Sequence, residues 1–155
     1  MGLLSYKDRT IKKLILLSCL IIGIPIASTA YAVEVIAHIS VKDSTLSTSQ
    51  LKRIYTMRQL RWSDNSTIKV FVLPSQHELH QRFSKERLQV FPYQLNRIWH
   101  KLTYSGLGVA PTIVKTPEAL FNAIKSTPGA IGYIDTPSQD NNLNEGAVNV
   151  IKIEN

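Results

Sequence analysis

The 155-residue chain carries 18 Lys and Arg against 11 Asp and Glu, a formal net charge of +7, and a single cysteine, Cys19. One cysteine excludes an internal disulfide and a thiolate metal centre. The length suits one domain with one modest core.

The chain opens with Lys7, Arg9, Lys12 and Lys13, then an apolar run from Leu14 to Ala27, then Ser28, Thr29 and Ala30-Tyr31-Ala32. A basic start, a short apolar stretch and small residues at the cleavage positions predict a secretory signal over residues 1–32, removed before Val33. An uncleaved membrane anchor is disfavoured, because the run falls short of the roughly 20 residues that span a bilayer and Pro25 interrupts it. Leu16-Leu17-Ser18-Cys19 is a poor lipidation motif. Cys19 leaves with the signal, as do four of the 18 bases and one of the 11 acids, so the remaining 123 residues hold 14 bases against 10 acids. A net charge of +4 permits attraction to anionic solutes, headgroups or acidic proteins. Combined with export, it argues against nucleic acid as a partner.

Val33 to Ser40 reads as a strand, with Val35, Ala37 and Ile39 alternating against Glu34, Ile36 and His38. Ser47-Thr48-Ser49-Gln50 has capping-box spacing and predicts a helix whose apolar stripe is Leu51, Ile54 and Tyr55. Asp64-Asn65-Ser66 is turn chemistry. Ile68 to Leu73 is apolar enough for a strand buried in mid-sheet. Ser75-Gln76-His77-Glu78 repeats the capping-box pattern and predicts a helix from about Gln76 to Arg87, with Leu79 and Phe83 inward. Pro92 suits the first position of another helix, whose face is Leu95, Ile98, Trp99 and Leu102.

Tyr104 to Gly108 breaks that helix through its two glycines. Thr116-Pro117-Glu118 opens one more, with Leu120, Ala123 and Ile124 inward. Thr127-Pro128-Gly129 ends it and leads into the strand Ala130 to Ile134, where Gly132 marks a close approach of backbone or ligand. A polar loop, Ser138 to Asn144, precedes a closing strand from Ala147 to Ile153. The alternation of strands and helices predicts an α/β fold, a three-layer-like mixed sheet with helices on its faces, in one domain over residues 33–155.

Several of these stretches together resemble the phosphate-binding subunits of phosphate ABC transporters. They are Leu51-Lys52-Arg53-Ile54-Tyr55, Trp62 to Ser66, the strand Ile68 to Leu73, Trp99 through Gly108, and Thr127 to Ile134. The segment Pro128-Gly129-Ala130-Ile131-Gly132-Tyr133 is the most specific. The likeness runs from about Val33 to Ile153 and implies one lobe of the two-lobed type 2 periplasmic binding protein fold. It also implies a ligand cleft to which this lobe brings an arginine and a Ser-Gly-Thr turn at a helix amino terminus, where free amides and the helix dipole attract anions. The corresponding stretch here, Val72 to Leu79, has neither arginine nor glycine. His77 and Leu79 stand where the family has serine and threonine, and Glu78 where it has glycine.

On this basis Ser75, Gln76 and His77 are the candidate anion ligands. Lys52, Arg53, Arg58 and Arg61, with Tyr55 and Trp62 among them, form the densest basic and aromatic cluster and the candidate partner surface. The plainer reading of that cluster is a solvated helix face with both rings turned into the core. His77 and His80 sit one residue closer than a zincin helix requires and are read as solvated histidines, so no metal or cofactor is expected. Ser75 and His77 lack a third orienting group, and no enzyme is expected. The expectation is a periplasmic, non-catalytic binding or adaptor module that takes phosphate or another small anion, or engages a membrane sensor, transporter or envelope protein. The alternative is a genuine phosphate or oxyanion binder of a transport or sensing system, its cleft completed by dimerisation.

Overall fold

The computed structural model describes residues 31–137 and 146–154. The segment expected to be a signal, apart from its last two residues, and the expected polar loop Ser138 to Asn144 lie outside the described residues. Six strands form one sheet: β1 (Tyr31–His38), β2 (Thr45–Ser47), β3 (Lys69–Val72), β4 (Thr112–Ile113), β5 (Ala130–Pro137) and β6 (Val148–Glu154). The helices are α1 (Thr48–Tyr55), α2 (Glu78–Glu86), α3 (Pro92–Tyr104) and α4 (Pro117–Ser126). The sheet order is β2-β6-β1-β5-β3-β4. β1 pairs antiparallel with both β5 and β6, whereas β2 with β6, β3 with β5 and β4 with β3 are parallel. It follows that β1, at the centre, runs against the other five strands.

Alternation of side chains along β5 fixes the layering. Tyr133 points to one face, where the Phe83 ring of α2 stacks on it at 4.0 Å and the Tyr55 ring of α1 lies 6.5 Å away. Gly132 points to the other face, where α4 packs so closely that a Cβ there would meet Ile124 Cδ1 at 2.4 Å. Helices thus cover both faces of a mixed sheet, as expected. The close approach inferred at Gly132 is made by the side chains of α4.

Covering both faces changes how β1 reads. Val35, Ile36 and Ala37 are all buried, while Ile39, expected to face inward, lies past the strand end and is exposed. A strand sandwiched between helix layers buries both sets of side chains, so the alternation assigned from sequence does not hold.

The helix starts are chemically explicit. Ser47 caps α1, accepting the Gln50 amide on its hydroxyl while Gln50 Oε1 accepts the Ser47 amide, and both bonds of the predicted capping box are made. Pro92 and Pro117 occupy first turns, and Thr116 caps α4 through the Ala119 amide. Leu95 and Trp99 of α3 and Leu120 and Ile124 of α4 are buried as expected, while Ile98, Leu102 and Ala123 are only partly covered.

α2 departs from expectation at its start. The Pro74 carbonyl accepts the His77 amide at 2.9 Å, closing a turn that uses Ser75 and Gln76 as its central residues. His77 then becomes the cap, its Nδ1 accepting the Leu79 amide at 3.2 Å. The capping box assigned to Ser75 does not form, because the proline-initiated turn takes up the residues that would have opened the helix.

Gly129, at φ 79°, is the pivot between α4 and β5. Its carbonyl accepts both the Trp62 indole N–H and the Lys69 amide at 3.0 Å, and a Cβ there would fall 2.3 Å from the Thr67 carbonyl oxygen. Only glycine fits a position that combines positive φ with such an approach.

Candidate functional site

Three hollows on the described surface bear on function. The first, about 610 Å³, lies between the amino termini of α2 and α4. Its apolar wall is Leu79, Pro117, Phe121 and Ile134, and its charged groups are Glu78, Arg82, Glu118 and Asp135, with His77 at the edge. A helix amino terminus attracts an anion through free amides and the positive end of its dipole. Here each of the two helices supplies its own anion in its first turn, Glu78 and Glu118.

The Glu118 carboxyl is held below the usual carboxylate range by its own backbone N–H and the Thr116 hydroxyl, with His77 contributing from across the hollow. Arg82 points its guanidinium at Asp135, with Nη1 2.9 Å from both carboxylate oxygens and Nε 3.3 Å from Glu86. Three carboxylates therefore face any entering ligand, and the guanidinium beside them is engaged by acids. Neither Arg82 nor Asp135 stood out in the sequence. They are distant along the chain, and nothing local marks them as partners.

The second hollow, about 460 Å³, lies between α3, β4 and the turn before α2. Ser75 and Gln76 line it with Asn96, His100, Thr103 and Tyr104, whereas His77 borders the first hollow. The three candidate anion ligands thus divide between two hollows.

The third, about 510 Å³, lies along the start of α1 and brings together Lys52, Arg53 and Arg58 with the hydroxyls of Ser47, Thr48, Ser49 and Thr56 and the side chain of Gln89. Arg61 stands apart, donating to the Asn65 carbonyl at 2.9 Å. Tyr55 and Trp62 are buried in the core, so the basic residues act without their aromatic neighbours.

Beneath the first two hollows runs a buried polar chain. His80, expected on a solvated face, is fully buried because α2 turns residues 79, 80, 83 and 84 inward. Its Nδ1 lies 2.6 Å from Tyr133 Oη, and its Nε2 3.4 Å from Ser84 Oγ. The Leu73 amide donates to Tyr133 Oη at 2.9 Å. Every member is satisfied when the Tyr133 hydroxyl donates to a neutral imidazole. Burial, with a smaller contribution from His77, pushes His80 down to about 4. Burial also raises Tyr133 and, more strongly, Tyr55, whose buried hydroxyl has no hydrogen-bond partner. Among the described residues, no group of three or more His, Cys, Asp or Glu could hold a metal ion.

Neither a family model nor a curated protein matches the sequence. Solved structures do match. A substrate-binding protein assigned to phosphate ABC transport in Clostridium perfringens, solved with bound phosphate, aligns at TM-score 0.59 and 19% identity, over 79% of this chain and 45% of that one. An ABC-type phosphate transport receptor from Vibrio cholerae aligns at 0.58 and 15%, over 79% and 46%. PstS from Borrelia burgdorferi aligns at 0.59 and 18%, over 80% and 47%. The chain spans just under half the length of these structures, and at such identities the likeness is one of fold. The fold is therefore mixed α/β and resembles one lobe of a type 2 periplasmic binding protein, as the sequence resemblance implied. No helix among the described residues is long and apolar enough to cross a membrane.

Proposed function

We propose that the chain, exported and freed of residues 1–32, works in the periplasm as a non-catalytic binding or adaptor module derived from a phosphate-binding lobe. The observation that carries this reading is the acidic hollow between α2 and α4. The amino terminus of α2, where the resemblance implies an anion seat, carries Glu78 in its first turn, and Glu118 and Asp135 line the same hollow. A phosphate there would meet the like charge of Glu78, Glu118 and Asp135, and the one guanidinium lining the hollow, Arg82, is already engaged by Asp135 and Glu86. A lobe that has lost its anion seat keeps a folded surface. The basic hollow of Lys52, Arg53 and Arg58 suits an acidic patch on a membrane sensor, transporter or envelope protein.

A second reading draws on the same basic hollow, where three cations and a row of hydroxyls suit phosphate or another oxyanion, with a second copy closing the site. One experiment separates the two. A photo-crosslinker placed at Ser49, in the lining of the hollow, is expected to give one discrete adduct to a different protein in producing cells, whereas a crosslink to a second copy of the chain favours the anion binder. Charge reversal by Arg53→Glu with Arg58→Glu should abolish that adduct. Absence of any adduct, together with a saturable rise in melting temperature with phosphate, rejects the adaptor and supports the anion binder.

A further inference from the structure

From Arg87 to Pro117 the chain contains no aspartate or glutamate, yet it holds Arg87, Arg97, Lys101 and Lys115. The same stretch carries six of the nine large hydrophobic residues exposed among the described residues: Phe91, Tyr93, Tyr104, Leu107, Val109 and Ile113. Cationic charge and exposed apolar surface therefore coincide on one part of the molecule, α3 and the segment that follows it.

Helical geometry arranges them. Leu95 and Trp99 turn α3 into the core. Tyr93, Arg97, His100, Lys101 and Tyr104, spaced i, i+4, i+7, i+8 and i+11, form the opposite, exposed stripe. Aromatic rings thus stand at both ends of the helix, with bases between them. Tyr104 is 87% exposed, and immediately beyond it Leu107 and Val109 stand 75% and 88% exposed on the loop to β4, with Lys115 just past that strand.

We propose that this face docks on an anionic phospholipid bilayer. Tyrosine rings favour the headgroup layer, where one end is apolar and the other wet. Apolar loop residues such as Leu107 and Val109 can bury in the boundary with the acyl chains. Arg97, Lys101 and Lys115 supply the charge that an anionic surface attracts, and no carboxylate in the segment opposes it. The hollow lined by Asn96, His100 and Thr103 opens beside the stripe and offers polar groups to a headgroup. Docking here leaves the basic hollow at α1, built from different residues, for the protein partner of the previous section.

Flotation of the full chain with phosphatidylcholine vesicles and with equimolar phosphatidylcholine and phosphatidylglycerol vesicles tests this. The apolar run Leu14 to Ala27 and the four bases before it are the same in every variant, so the readout is the change between variants in the ratio of binding to anionic over neutral vesicles. The ratio is expected to be well above one in the unmodified chain and to fall at least about 30-fold in Arg97→Glu with Lys101→Glu, at about fivefold for each cation lost before the added negative charge is counted. Tyr104→Ser with Leu107→Ser, which keeps every charge, should weaken anionic-vesicle binding several-fold. Lys52→Glu with Arg53→Glu should leave the ratio unchanged.

A ratio near one in the unmodified chain overturns the proposal. So does a ratio that survives reversal at Arg97 and Lys101 in a variant with native circular dichroism, or one lost equally by reversal at Lys52 and Arg53. Retention on polyglutamate without retention on anionic vesicles assigns the face to an acidic protein and overturns it as well.

Discussion

Tyr133 Oη lies 2.6 Å from His80 Nδ1, joining the middle of β5 to the inner face of α2, and the same oxygen accepts the Leu73 amide just beyond β3. One hydroxyl therefore ties together the end of β3, the helix α2 and the strand β5, which position the turn Pro74–His77. Tyr133→Phe removes this oxygen and leaves a buried amide and a buried imidazole nitrogen without partners. A loss of about 2 to 3 kcal/mol in urea unfolding is expected, with little change in overall secondary structure. An unchanged midpoint would mean that the hydroxyl holds nothing together.

The same pair makes stability depend on acidity. The folded protein holds His80 near 4, below its ordinary 6.5, so the unfolded chain binds the extra proton between those values. Stability from this group is full above about pH 6.5 and is lost as pH falls toward 4, by roughly 3 kcal/mol at one tenfold step per 1.36 kcal/mol. Carboxylates titrate in the lower part of this window, so the comparison is with His80→Leu. The variant is expected to lack the portion of the slope between pH 6.5 and 5 that the unmodified protein shows. Parallel slopes in the two proteins would exclude His80 as the source.

Gly132 faces α4 at a distance that leaves no room for a methyl group, with Ile124 Cδ1 2.4 Å from the position a Cβ would take. Gly132→Ala should cost about 1 to 3 kcal/mol through overpacking. Ile124→Val removes the clashing methyl group, so the double variant should be more stable than Gly132→Ala alone. Additive losses in chemical denaturation would show that the strain lies in the backbone instead.

The segment of the sequence with the strongest family likeness, Pro128 to Tyr133, proves to be architectural. Gly129 makes the turn against Thr67, Gly132 admits α4, and Tyr133 anchors the polar chain. Such a segment reports the fold faithfully and the ligand hardly at all. The long elements were legible for local reasons: the capping box at Ser47 and Gln50, the prolines at 92 and 117, and the apolar strand before Leu73.

What was missed depends on distance along the chain. Strands β2 and β4, of three and two residues, owe their existence to pairing with β6 and β3. The burial of His80 follows from which face of α2 meets β5. The Arg82–Asp135 pair that lines the hollow between α2 and α4 joins residues 53 apart in sequence. One carboxylate of the hollow between α2 and α4 was visible in outline, since Glu78 stands where the resembled family has glycine. The additional carboxylates of Glu118 and Asp135 became visible only when α4 and β5 were brought beside it.

Titration calorimetry of phosphate into the protein at neutral pH, with Glu78→Gln plus Glu118→Gln run alongside, bears most directly on the proposal that the chain's own carboxylates occupy the place where the resemblance implies an anion seat. The expected result is no saturable heat in the unmodified protein at phosphate concentrations up to the millimolar range. Saturable binding with a micromolar or tighter Kd in the unmodified protein, placed in this hollow by its loss in Arg82→Gln, would contradict the account.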